Sequence, residues 1–170
     1  GYASLTRKYD EAGNVTLESY FDVSGEPVLT AAGYASIEKE YNDLKHVILE
    51  EHLDEAGNII PFKDGYFTVL KEYNEAGKVS KETYLDENHE IMISPTLGYA
   101  MVERDYDENG KISAERYFDT ESNPLMLEGK GYASLTRKYD EAGNVTLESY
   151  FDESGEPVLT AAGYATIEKE

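Results

Sequence analysis

The sequence predicts an all-β fold: an elongated, β-solenoid-like tandem-repeat array of β-hairpins with 32 to 33 residues per repeat. Residues 1–22 return unchanged at residues 131–152, and weaker copies lie between them. Within each copy, apolar and polar residues alternate with the period of two that is typical of strands. The 15 Tyr against 5 Phe and no Trp also favour strands, because Tyr suits a strand that keeps one end of its side chain in water.

A Gly-Tyr pair opens every copy and so fixes the boundaries of the repeats. We expect a single repeat domain over residues 1–170, with repeats at 1–32, 33–64, 65–97, 98–130 and 131–162 and a partial repeat at 163–170. One hairpin cannot bury its apolar face alone, so neighbouring repeats must stack. Gly1 already lies within the repeat pattern, and we therefore expect neighbouring repeats or domains in a longer chain.

The fifth repeat shows how the first hairpin of each unit should form. Its first strand places Leu135 and Arg137 on one face, and its second strand places Leu147 and Phe151 on one face. The linker 140–144 fits a type I turn closed by a left-handed Gly143, which produces a G1 bulge at the turn. This turn predicts that Tyr139 pairs with Val145 and Ala133 with Phe151, so that both apolar sets share a side. In the second repeat Lys45 takes the glycine position and should strain or reshape the loop.

A third extended stretch follows a second turn in each unit. In the fifth repeat it is Pro157–Thr160, after the turn at Asp152–Gly155. Periodicity fits both a β-solenoid and one continuous meander. The third stretch gives each repeat a corner, and this favours the solenoid.

The charge excludes several classes of partner. There are 15 Lys and Arg against 35 Asp and Glu, and the resulting field repels phosphate backbones and anionic lipid. We therefore expect no nucleic acid partner. No apolar run approaches the length of a transmembrane segment, so we expect no membrane insertion.

Short motifs suggest known families. The motif Tyr-Phe-Asp-x-x-Gly-x-Pro-Val at Tyr20–Val28 and Tyr150–Val158 resembles the hairpin repeats of choline-binding and clostridial-toxin-type cell-wall-binding modules. Tyr-Asp-x-x-Gly at Tyr139–Gly143 resembles a YD-type repeat. The resemblance implies a solenoid of hairpins whose aromatic side chains bind choline or carbohydrate. This chain lacks Trp and its repeats are longer than those of choline-binding modules, so the carbohydrate expectation carries over better than the choline one.

A carboxylate and a tyrosine recur at one step in the second strand, on the polar face opposite its apolar side chains. These candidate ligand-binding residues are Glu18, Tyr20, Glu82, Tyr84, Glu115, Tyr117, Glu148 and Tyr150. Such a row could hydrogen-bond sugar hydroxyls and stack on their rings. The alternative is that the tyrosines cover neighbouring strands as cross-strand pairs. The second repeat keeps Glu50 but has His52 in place of Tyr.

One basic residue per repeat stands in the first strand: Arg7, Lys39, Lys71, Arg104, Arg137 and Lys169. We expect their stems to pack along apolar side chains and their charged groups to pair with carboxylates of adjacent repeats. An anion-binding ladder is the alternative interpretation.

Nothing in the sequence favours catalysis, because every acidic candidate recurs in each repeat whereas a catalytic site is normally singular. His46 and His52 share strand parity and could meet a metal ion together with Glu50, but zinc ligands usually lie closer in sequence. Calcium at the Asp-rich turns is the stronger metal hypothesis, although acidic turns are mostly only turns. We predict no metal and no cofactor.

The sequence therefore predicts a non-catalytic binding module of a bacterial surface or secreted protein, located extracellularly or at the cell surface. Its expected partner is a carbohydrate, such as a cell-wall polysaccharide or glycopolymer, bound along the Tyr/Glu face. The alternatives are a structural spacer or stalk and a protein–protein adhesion repeat.

Overall fold

The computed structural model describes residues 1–169 as one antiparallel sheet without a helix in that range. Its strands are β1 Ser4–Tyr9, β2 Val15–Phe21, β3 Ser36–Tyr41, β4 Val47–Leu53, β5 Ile59–Ile60, β6 Thr68–Tyr73, β7 Val79–Leu85, β8 Met101–Tyr106, β9 Ile112–Phe118, β10 Ser134–Tyr139, β11 Val145–Phe151 and β12 Thr166–Glu168. Neighbours in the sheet follow chain order, and only the short β5 lies off this path, paired with β4. The predicted all-β class and its hairpins are confirmed. Glu170 of the partial repeat 163–170 lies outside the described residues.

Each repeat turns three times, and the first two turns have the same backbone pattern in every repeat, whereas the third turn is one residue longer in the third and fourth repeats. In the first turn of the fifth repeat, Gly143 N–H donates to Asp140 O at 2.9 Å and Asp140 N–H donates to Asn144 O at 3.0 Å. The predicted left-handed glycine is confirmed, with a φ of 87°. Lys45 is also left-handed, at φ 64°, yet it keeps the same hydrogen bond to Asn42 O. The loop of the second repeat is therefore not reshaped.

The predicted pairing of Ala133 with Phe151 is wrong by one residue. Tyr139 pairs with Val145 as expected, but Lys138 then pairs with Leu147 and Ser134 with Phe151. A bulge at this point inserts one extra residue into the second strand. All five hairpins shift register at the same position.

The bulge exchanges the faces of the second strand. Leu135 stands opposite Tyr150 and Arg137 opposite Glu148, so the Tyr/Glu row shares a face with the apolar and basic residues of the first strand. The predicted separation of an apolar face from a polar Tyr/Glu face is therefore wrong.

The core lies on this shared face. Val69, Tyr84, Tyr99, Val102, Tyr117 and Leu127 form its buried cluster, with Phe62, Tyr66, Leu97, Leu125 and Tyr132 packed against it. Leu127, Phe62 and Leu125 belong to third segments, which therefore cover the sheet face. In four repeats the third segment joins the end of the second strand by one isolated bridge, as between Phe151 and Pro157. In the second repeat the bridge extends to β5.

Candidate functional site: the tyrosine stack and the charge ladder

The four tyrosines predicted to bind ligand are core residues. Tyr20, Tyr84, Tyr117 and Tyr150 keep only 8%, 4%, 6% and 6% of their surface exposed. Each lies opposite an apolar residue of its own hairpin, as Tyr84 lies opposite Val69. Their geometry is that of cross-strand packing.

These tyrosines belong to a continuous row of rings, which we call the tyrosine stack. Neighbouring ring centroids are 4.0 to 6.2 Å apart, within the usual range for packed aromatic pairs. The row contains Tyr2, Tyr20, Tyr34, His52, Phe62, Tyr66, Tyr84, Tyr99, Tyr117, Tyr132, Tyr150 and Tyr164. It crosses every boundary between the five repeats.

The Gly-Tyr tyrosines are the members of the stack that the site prediction missed. They alternate with the second-strand rings, and two of them are well exposed, Tyr2 at 46% and Tyr164 at 39%. Their signal was present in the sequence, because a Gly-Tyr pair opens every repeat. It marked repeat boundaries in our interpretation and was not assigned to the site.

Burial disfavours ionisation of the tyrosines at the centre of the stack. Removal from water raises the pKa of Tyr84 and Tyr117 far above the ordinary value, and it raises the pKa of Tyr66 to about 12. Tyr20 differs, since its hydroxyl donates to Glu18 and this hydrogen bond is the largest cause of its raised pKa. A neutral phenol with a high pKa is a hydrogen-bond donor, and it is a poor general base or nucleophile near neutral pH.

The four predicted glutamates and Glu50 form a charge ladder across the sheet with the basic residues of the five full repeats. The ladder contains Arg7, Glu18, Lys39, Glu50, Lys71, Glu82, Arg104, Glu115, Arg137 and Glu148. Arg137 lies 2.9 Å from Glu148 of its own repeat and 3.0 Å from Glu115 of the preceding one. Arg104 likewise contacts Glu82 at 2.7 Å and Glu115 at 3.3 Å. The predicted pairing with carboxylates of adjacent repeats is confirmed at these two arginines.

The ladder is looser where lysine replaces arginine. Lys39 and Lys71 approach only Glu50, at 3.7 and 3.8 Å. The pKa of Glu50 is lowered, chiefly by His52, whose Nε2 lies 3.7 Å away, and then by the two lysines. Guanidinium spans two carboxylates as a planar fork, whereas ammonium acts as a point charge.

A second set of contacts between repeats starts at the bulge. The tyrosine that closes each first strand donates its hydroxyl to the first residue of the second strand in the preceding repeat. These bonds are Tyr41 to Val15 O, Tyr73 to Val47 O, Tyr106 to Val79 O and Tyr139 to Ile112 O, at 2.7 to 2.9 Å. They satisfy carbonyl groups that lie at the bulge, where the ladder of backbone bonds is interrupted.

The histidines do not gather with Glu50 as a metal site would require. His46 stacks on Tyr73 with 4.4 Å between ring centroids, whereas His52 stands in the tyrosine stack. His89 contacts the buried carboxylate of Glu51, which also accepts a bond from the Thr68 hydroxyl. Over the described residues, no cluster of three or more His, Cys, Asp or Glu has the arrangement of a metal site.

One recess borders the stack at the fifth repeat. It has a volume of about 250 Å³ and is lined by Tyr132, Tyr150, Tyr164 and Thr160, among others. The Thr160 hydroxyl is buried and has no hydrogen-bond partner. A recess of this size with aromatic walls can accept a small polyol or sugar ring.

Comparison with known proteins gives no family. No protein-family model matches the chain, and no curated protein matches its sequence. Within residues 1–169, no helix has the length and apolar character needed to cross a membrane. The resemblance to cell-wall-binding and YD-type repeats stays a prediction.

Proposed function

We propose that the chain is a rigid, non-catalytic spacer array of a bacterial surface or secreted protein. One observation carries the proposal: the tyrosine stack and the hydroxyl bonds of the bulge tyrosines both cross all four boundaries between the five repeats. Such contacts make each repeat a support for the next, so length grows with repeat number while the array stays stiff.

A solenoid-like winding is part of this proposal. Adjacent strands in sheets rotate by about 20° on average, and each repeat adds two strands to the path, so each repeat turns the sheet by about 40°. The third segments support the winding because they leave the plane of the sheet at regular steps.

The test is the contribution of one repeat to length. Two strands span about 9.6 Å across a sheet. Deleting residues 65–97 should shorten the longest dimension seen by small-angle scattering by about 10 Å, with the cross-section unchanged. A shrinkage spread evenly over all dimensions would contradict the spacer proposal.

Glycan recognition along the Tyr/Glu face is the second candidate, and the recess at Tyr132, Tyr150 and Tyr164 supports it. Tyr164→Ala should remove any thermal stabilisation by soluble cell-wall glycans, because it removes an exposed stacking ring from the recess. Tyr9→Ala is the matched control, as Tyr9 is 58% exposed and lies outside the recess. If no glycan raises the melting temperature of the unsubstituted chain, this candidate is rejected.

A further inference from the structure

The third segments alternate between covered and exposed side chains. In the fifth repeat Val158 and Thr160 are turned inward, whereas Pro157 and Leu159 are exposed, and Leu159 keeps 65% of its surface. The first and third repeats alternate in the same way, with Leu29 at 41% and Ile93 at 43%. The corresponding position is apolar in all five repeats, exposed in four of them and half-buried at Met126 in the fourth.

We call this row the apolar ridge and define it as Leu29, Pro61, Ile93, Met126 and Leu159. A second apolar position two residues earlier accompanies it, as Ile91 accompanies Ile93 with 42% exposed. Single exposed apolar residues need no explanation, whereas a contiguous row marks an interaction surface. This row is notable on a chain of net charge −20, where solubility favours charged side chains at exposed positions.

From this row we propose that the apolar ridge is a docking surface for a basic amphipathic helix. The proposal goes beyond the spacer function, since it concerns what the array holds along its length. It rests on the spacing of the ridge residues, the hydrogen bonding of the backbone in the third segments and the charge beside the ridge.

The spacing favours a helix. Equivalent residues of adjacent repeats are two strands apart, or about 9.6 Å. Apolar residues seven apart on a helix are separated by about 10.5 Å, and those at intermediate i+3 or i+4 positions fall between successive ridge residues. The two steps drift apart by about 1 Å per repeat, and the proposed winding turns the ridge by about 40° per repeat, so a straight helix follows the ridge over two to three consecutive repeats.

The ridge offers side chains more than backbone groups. Val158 N–H donates to Tyr150 O and Thr160 N–H to Tyr164 O, so both inward amides are bonded within the repeat. The Leu159 amide at the ridge has no such partner among the described residues, but Pro157 beside it has no N–H, so this third segment presents a single free amide to an added strand. Met126 N–H, at a ridge position, donates to Glu153 of the next repeat at 3.1 Å. A helix satisfies its own backbone and binds through side chains alone, whereas an added strand needs free amides and carbonyls.

Charge selects a basic helix. Exposed glutamates directly precede the third segment in three repeats, at Glu26, Glu90 and Glu156. The acidic field of the chain attracts a cationic partner and repels an acidic one.

The probe is a synthetic peptide of about 18 residues, or about 27 Å as a helix, with leucine at heptad positions a and d and lysine elsewhere. We expect saturable binding by calorimetry in physiological salt, with the peptide becoming helical. A scrambled peptide of the same composition keeps the charge but loses the apolar stripe, and it should bind at least about tenfold more weakly.

Two sets of variants locate the site. The triple variant Leu29→Thr, Ile93→Thr and Leu159→Thr should weaken binding at least about tenfold. The control variant Val23→Ser with Leu44→Ser removes apolar side chains that are 93% and 74% exposed but lie outside the ridge, and it should bind like the unsubstituted chain. Leu159→Thr alone gives a milder version if the triple variant loses its circular dichroism spectrum.

Three outcomes overturn the proposal. Equal binding of the ordered and scrambled peptides would show that charge alone attracts them. Unchanged binding by the triple variant, with the fold intact, would place the peptide elsewhere. Concentration-dependent self-association that the triple variant abolishes, without peptide binding, would assign the ridge to a second copy of the chain.

Discussion

Residues 1–40 and 131–170 carry the same sequence except at Val23/Glu153 and Ser36/Thr166, yet their first strands lie in different surroundings. β10 is flanked by β9 and β11, whereas β1 is at the edge of the sheet and pairs only with β2. Leu135 is 2% exposed, and its counterpart Leu5 is 36% exposed. Both hairpins nevertheless have the same register and the same bulge. The hairpin is therefore specified locally, and its burial comes from the preceding repeat.

The largest expected effect is the loss of a side chain that the preceding repeat covers. Leu135→Ala should destabilise the chain by about 2–5 kcal/mol, because it leaves a cavity between repeats. Leu5→Ala removes the same atoms from an edge strand and should cost about 1 kcal/mol or less. Urea unfolding measures both, with hydrogen exchange of the β10 amides as a local probe. Equal losses at the two positions would refute the dependence on the preceding repeat.

The bulge tyrosine gives the next largest difference. Tyr139→Phe leaves Ile112 O without its partner and should cost about 1–2 kcal/mol. Tyr9→Phe should change stability by less than about 0.5 kcal/mol, since Tyr9 is 58% exposed and has no preceding strand beside it. Urea unfolding measures the free-energy cost of each of the two substitutions. A cost for Tyr9→Phe as large as that for Tyr139→Phe would mean that the hydroxyl acts within its own hairpin.

The turns were predictable from the sequence, because a turn is specified by residues within five positions of each other. Gly143 had to be left-handed to close the loop, and Asp140 had to begin it. The same local rule explains why Lys45 adopts a φ of 64°: the surrounding hairpin determines the turn even without glycine.

The register shift at Val145–Leu147, beyond the predicted turn bulge, and the placement of the candidate site were not predictable by the same reasoning. Val145, Thr146 and Leu147 read as an unbroken alternation, so no local signal shows that the register shifts between them. The tyrosine hydroxyl that donates a hydrogen bond to the backbone at this shift belongs to the next repeat. Once the register moves by one residue, Tyr150 and Glu148 change from the expected polar face to the core face. The sequence therefore identified the recurring Tyr and Glu residues. It could not predict their burial, because burial depends on contacts between repeats.

A smaller effect tests whether each turn is determined within its own hairpin. Gly25 and Gly155 have φ values of 82° and 80°, and a Cβ at either one would meet nothing within 4 Å. Gly25→Ala and Gly155→Ala should therefore each cost about 1 kcal/mol through the left-handed backbone alone. The two costs should agree within error in urea unfolding. A difference above about 1 kcal/mol would mean that neighbouring repeats also shape the turns.

The smallest effect concerns the loss of stability at acidic pH. The hydrogen bond from the Asn14 side chain and then that from the Asn14 backbone lower the pKa of Asp10, and Asn144 lowers the pKa of Asp140 in the same way. A lowered pKa means that the folded turn holds its proton less tightly than the unfolded chain. The stabilisation is therefore present above the unfolded value of about 3.9 and is lost as the pH falls through the lower folded value. NMR titration of the two carboxyl groups should give values below the ordinary one, and Asn14→Ala should raise the first and leave the second unchanged. One of these hairpins lies at the edge of the sheet and the other lies inside it. Because each turn is formed within its own hairpin, we expect the two aspartates to have the same pKa. A clear separation of the two pKa values would show that the preceding repeat also affects the turn.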